Sequence, residues 1–105
     1  MPVRIDINNT IVTSYISGEI DHHSAKHIRE EIDECIGRVT PKLLVLNFKD
    51  VSFMDSSGIG LVMGRYKLMQ SIDGKLSVTN TSPHIKRVMK LAGLERLYVL
   101  EKGGK

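Results

Sequence analysis

Apolar and polar positions alternate with period two at the start of the chain, where Val3, Ile5 and Ile7 are separated by Arg4 and Asp6. A second β-rich run holds Ile11, Val12, Tyr15 and Ile16, and Asn8-Asn9 between them supplies turn residues, so the chain is predicted to open as a hairpin. The period then changes. Ala25, Ile28, Ile32, Cys35, Ile36 and Val39 share one face of a helix that has Ser24 as its expected cap and fades near Gly37. After Pro41, residues 43–48 (LLVLNF) are nearly continuously apolar, as in a strand covered on both faces. A second helix is predicted over about 57–72, burying some of Ile59, Val62, Met63, Tyr66, Met69 and Ile72. Asp73-Gly74 then turns the chain into a strand at 75–79. Thr81 or Ser82 caps a third helix with Pro83 in its first turn, Ile85, Val88, Met89 and Ala92 on one face, and Gly93 as its stop. A short strand at 97–100 ends the pattern, and the polar, glycine-rich residues 101–105 are expected to fray.

The order β β α β α β α β, with crossovers long enough for right-handed βαβ units, predicts an α/β domain. Its mixed β-sheet should have parallel inner strands, an antiparallel N-terminal hairpin and packed α-helices. A length of 105 residues leaves room for one core, and 41% hydrophobic with 26% charged residues excludes disordered, collagen-like and disulfide-scaffold classes. A net charge of +3, with acids and bases interleaved, gives little reason to expect nucleic acid. The aromatic content, three Tyr and two Phe without Trp, offers few stacking platforms for bases. One cysteine, no signal-like start and no apolar run near 18 residues lead to the expectation of a cytoplasmic protein without a membrane span.

The chemistry concentrates in residues 51–66, VSFMDSSGIGLVMGRY, at the carboxyl end of the central strand, where open α/β sheets build their sites. Asp55, Ser56 and Ser57 are all competent N-caps, and capping alone is the plainest explanation for them. Three features go beyond it. Gly58, Gly60 and Gly64 each cost about 1 kcal/mol relative to Ala inside a helix, so the backbone there must be accessible or closely packed. Two serines stand beside a carboxylate although a cap needs one hydroxyl, and a hydroxyl at a helix start is a natural seat for phosphate. Ile59, Met63 and Met54 offer an adaptable apolar patch beside them.

MDSSGIG followed by GRYK, with GEIDHHSA at 18–25 and SPHIKRVMKLAGL at 82–94, closely resembles the anti-anti-sigma factors (anti-sigma factor antagonists) of the SpoIIAA type in the STAS domain family. The likeness runs from the first strand to about Leu100. It implies a single STAS-like domain over residues 1–105 and a phosphoprotein that switches partners to regulate transcription. Unphosphorylated, such a protein binds an anti-sigma factor that is also a serine kinase of the GHKL ATPase type, loaded with ADP or ATP, and so releases a sporulation sigma factor. Phosphorylation ends the complex, and a metal-dependent serine phosphatase restores it. The resemblance puts the phosphate on Ser56 and a contact surface on Asp21, Asp55, Ser57, Gly58, Ile59 and Gly60. It implies no catalytic residue, metal, cofactor, nucleic acid or membrane for the chain itself. Relatives of this type often continue into another helix where this chain ends in EKGGK.

Other readings compete. Ser56 with Asp21 and His22 or His23 has the residue types of a hydrolytic triad but lacks a G-x-S-x-G elbow. Gly58, Gly60 and Gly64 come near a dinucleotide-binding fingerprint but follow the third strand, and close helix-to-sheet packing explains them as well. His23, His27 and Glu30 or Glu31 have the spacing of a metal face, although a cap at Ser24 would leave His23 outside the helix. Cys35 reads as a buried small hydrophobe, and Lys86, Arg87 and Lys90 with His84 as a solvated basic side.

Overall fold

The first turn is the simplest element to derive. In the computed structural model, which describes residues 2–94 and the backbone of 99–100, β1 (Val3–Asn8) and β2 (Ile11–Ile20) pair antiparallel from Val3↔Ile16 to Asn8↔Ile11. The two-residue loop is therefore Asn9 and Thr10, one step later than expected. Asn8 stays in the ladder and Asn9 takes the left-handed conformation, φ 56°, that asparagine tolerates.

α1 (His22–Val39) follows β2 after a single residue. Its cap is Asp21 rather than the expected Ser24. The Asp21 carboxylate accepts from the amides of His23 and Ser24 at 3.0 and 2.9 Å, and the Asp21 amide donates to the Ser24 hydroxyl at 2.9 Å. Ser24 is thus the third helical residue of a capping box, and His23 lies inside the helix. The helix runs past Gly37 to a left-handed Thr40, φ 46°.

β3 (Leu43–Met54) pairs parallel with β2 and reaches six residues beyond the predicted run. Two extra residues enter β3 where its register against β2 slips, between Tyr15 and Ser17 and between Gly18 and Glu19. Buried positions accordingly change from Leu44, Leu46 and Phe48 to Val51 and Met54, a spacing that breaks period two. α2 (Ser56–Ser71), β4 (Lys75–Thr79) and α3 (Pro83–Leu91) follow. The Ser82 hydroxyl accepts from the Ile85 amide at 3.2 Å, Pro83 opens α3, and Gly93 (φ 77°) lies just beyond its end. β5 (Val99–Leu100) closes the sheet. Leu97, Tyr98 and the expected frayed tail lie outside the described residues.

The sheet order is β1-β2-β3-β4-β5, with every pair after the hairpin parallel. Each crossover steps the same way along the sheet, and right-handed connections of that kind place α1, α2 and α3 on one face. Burial follows. Leu44, Leu46, Phe48, Leu76 and Val78 are enclosed with Ile28, Ile32 and Ile36 of α1, Leu61, Val62 and Met69 of α2, and Ile85 and Met89 of α3. Leu43, Val45 and Asn47, on the opposite face of β3, are half-buried, so the central strand is not enclosed equally on both sides. No described helix is long and apolar enough to cross a membrane.

Candidate functional site

Ile20 and Met54 are register partners at the carboxyl ends of β2 and β3. The residue that follows each strand, Asp21 or Asp55, caps the next helix, so the two helix starts lie at adjoining strand ends. The Asp55 amide donates to the Ile20 carbonyl at 3.1 Å and ties the junctions together. Asp55 resolves the choice among three candidate caps: its carboxylate accepts from the Ser57 amide at 2.7 Å, and its carbonyl from the Gly58 amide at 2.9 Å.

Ser56 is consequently the first residue of α2, exposed, and its hydroxyl makes no hydrogen bond among the described residues. Ser57 is half-buried and turned toward α1. Neither Asp21 nor Asp55 is hydrogen-bonded to Ser56, because each carboxylate is engaged with backbone amides. Those amides, that of Ser24 foremost, hold the Asp21 carboxyl below the usual carboxylate range.

The glycines divide by role. A Cβ on Gly58 would collide with Cγ and Sδ of Met54 and lie 3.4 Å from Ile20, so this glycine lets α2 settle on the sheet. Gly60 and Gly64 face open space within 4 Å of where a Cβ would stand. Close packing does not explain them. Met54 is 2% exposed and therefore no part of a surface patch. The exposed apolar side chain there is Phe53, at 44%, which lies beyond the predicted end of the central strand at Phe48 and was not among the patch residues expected from the sequence. Ile59 and Met63 are half-buried against the core.

Between α1 and α2 runs a groove of about 360 Å³, walled by His22, Lys26 and Arg29 on one side and by Ser57 and Gly60 on the other. Farther along the same pair of helices Arg65 Nε meets Asp33 Oδ1 at 2.9 Å, with side-chain exposures of 8% and 35%. Neither partner was visible as a core residue in the periodicity. The contact is charge against charge without hydrogen-bond alignment, since Arg65 Nε and Nη1 and Asp33 Oδ1 have no hydrogen-bond partner. Burial raises the Asp33 pKa against the opposing pull of Arg65 and lowers that of Arg65. Cys35 is buried, as expected of a small hydrophobe, and burial pushes its thiol up.

The triad reading does not assemble. Asp21 accepts from backbone amides instead of an imidazole, and the His22 and His23 rings pack edge to face at 5.8 Å between centroids. His23 and His27 do lie one turn apart inside α1, yet no group of three or more metal-ligating side chains is gathered among the described residues.

The model of the STAS domain matches residues 2–102, nearly the entire chain. The chain belongs to the STAS domain family. This STAS domain is 33% identical over 97 residues to the anti-sigma F factor antagonist of Paenibacillus polymyxa, covering 92% of this chain and 83% of that one. Its fold matches the structure of the anti-sigma factor antagonist SpoIIAA in its unphosphorylated form with a TM-score of 0.86 at 30% identity, over 98% of this chain and 89% of the other. Against the phosphorylated form of the Bacillus SpoIIAA the TM-score is 0.79 at 30% identity, over 98% and 92% of the two chains.

Proposed function

We propose that this STAS domain is an anti-sigma factor antagonist whose binding is controlled by phosphorylation of Ser56. In this reading the unmodified chain binds an anti-sigma factor that is also a GHKL-type serine kinase, and so frees a sporulation sigma factor. The kinase transfers the γ-phosphoryl group of ATP to Ser56 Oγ and releases ADP, and a metal-dependent phosphatase hydrolyses the ester. The chain is a binding module and a substrate, not an enzyme. Asp21, Asp55, Ser57, Ile59 and Gly60 line the contact surface, and Gly58 shapes it from beneath.

The observation that carries the reading is the hydroxyl of Ser56, exposed at the first position of α2 and left unused by the fold because Asp55 does the capping. The names of the relatives support it. So does the physics: a phosphoserine adds about −1.5 to −2 charge. An uncompensated charge in a desolvated interface costs on the order of 2 to 5 kcal/mol, about 30-fold to several thousand-fold in affinity.

The test uses the anti-sigma F factor of Paenibacillus polymyxa, whose antagonist is 33% identical to this chain. Ser56→Ala is expected to bind it like the parent chain and to resist the kinase, whereas Ser56→Asp binds at least about tenfold more weakly. Equal affinities for the two variants contradict an electrostatic switch, and a phosphate found by mass spectrometry only on Ser57 moves the acceptor.

A further inference from the structure

After its Asp21 cap, the first half of α1 carries bases and no acids. His22, His23, Lys26, His27 and Arg29 precede any acid, and Glu30, Glu31, Asp33 and Glu34 follow. The helix dipole is served by the Asp21 cap at the start and by Arg38 in the last turn, and it gives no reason for bases in the first half of the helix. His22, Lys26 and Arg29 recur at intervals of four and three residues and stand together along the groove facing α2.

The acids nearby are engaged elsewhere. Asp21 and Asp55 cap helices, and Asp33 is paired with Arg65. Among the described residues neither Lys26 nor Arg29 makes a direct ion pair, although the charge of Arg29 is still felt by Asp33. Ala25 and Leu61 give the groove an apolar lining, and Gly60 leaves space where any other residue would project a side chain. The result is an open groove with cations along one wall and Ser57, the residue that follows Ser56, in the other.

We propose that this groove receives a carboxylate side chain, Asp or Glu, from the protein that docks on the start of α2. The inference rests on the proposed function and names one contact within it. The apolar lining suits the methylene groups of such a side chain, and Lys26 and Arg29 suit its charge. A nucleic acid fits poorly, because a polyanion longer than the slot would run onto Glu30, Glu31 and Glu34.

The experiment titrates the anti-sigma F factor of Paenibacillus polymyxa against the parent chain, Ser56→Asp and the double variant Lys26→Gln/Arg29→Gln, with circular dichroism as the check on folding. The double variant is expected to bind about tenfold more weakly at low salt, and the difference should shrink as salt screens the parent's advantage. Parent-like affinity and salt dependence in the double variant overturn the carboxylate slot and leave the serine switch standing. Failure of the parent chain to bind removes the proposed function and the slot with it. Displacement of the factor by inorganic phosphate but not by acetate at equal ionic strength overturns the carboxylate assignment in favour of a phosphate site.

Discussion

Asp55 and Ser56 are adjacent and nearly interchangeable as helix caps, yet the fold uses only the carboxylate, and the Ser56 hydroxyl makes no hydrogen bond among the described residues. Asp21 repeats the arrangement at α1, and its consequence is measurable. Its pKa is depressed in the folded chain, so the stability it contributes is present above the ordinary carboxylate value and is lost as the pH falls through the lowered one. Asp33 has the opposite sign: its raised pKa gives a contribution present below the ordinary value and lost as the pH rises through the raised one. Asp21→Asn is expected to flatten the acid-side loss of stability while leaving the Asp33 part, as read from denaturation midpoints measured across the acid range. A variant that tracks the parent at every pH removes the cap from the account. Glycine substitutions separate packing from propensity. Gly58→Ala sets a methyl against the buried Met54 and should destabilise by about 1 to 3 kcal/mol. Gly37→Ala, in an exposed turn with nothing within 4 Å of the added atom, should stabilise by about 0.5 to 1 kcal/mol, both measured by urea unfolding.

The two helices that frame the site are held together farther along by Arg65 and Asp33, an ion pair between α2 and α1. Removing the carboxylate with Asp33→Ala leaves Arg65 buried and uncompensated. The expected loss is about 2 to 3 kcal/mol, below the figure for a fully buried pair because Asp33 is 35% exposed. Replacing both residues with apolar ones should recover much of it, and a double-mutant cycle from urea midpoints checks the coupling. This pair also marks where sequence reading stopped. The order of strands and helices was legible because Val3, Ile5 and Ile7 alternate and because Ile28, Ile32 and Ile36 repeat at helical spacing. Arg65 was not, since an arginine on the stripe of Leu61 and Met69 reads as solvent-facing until a carboxylate from another helix is placed against it. The carboxyl half of β3 was hidden for a related reason: Lys49 and Asp50 interrupt the apolar run, and the two extra residues that restore burial at Val51 and Met54 are defined only by the register with β2. In the site, the pattern DSS located the helix start, but which of three residues caps it depends on backbone geometry that the letters do not carry.

Because the strands from β2 onward are parallel, their carboxyl ends gather at one end of the sheet, and both Asp-capped junctions lie there, away from the enclosed face packed under α1, α2 and α3. A modification at Ser56 therefore acts at the rim of the molecule. A phosphate there would lower the net charge of +3 to about +1 beside a helix start that favours it by about 0.3 to 1 kcal/mol, with Asp55 opposing it. No core side chain has to move. Phosphorylated and unmodified chains are thus expected to unfold in urea with the same slope and with stabilities within about 1 kcal/mol of each other. Their affinities for the anti-sigma factor should nevertheless differ by about 30-fold or more. The two measurements together discriminate where the switch resides. A large affinity difference at constant stability places it in the interface, as argued from the exposed hydroxyl. A loss of several kcal/mol on phosphorylation, with a changed slope, would mean that the charge disrupts α2 itself, and the binding defect would then follow from partial unfolding instead of repulsion at an intact surface.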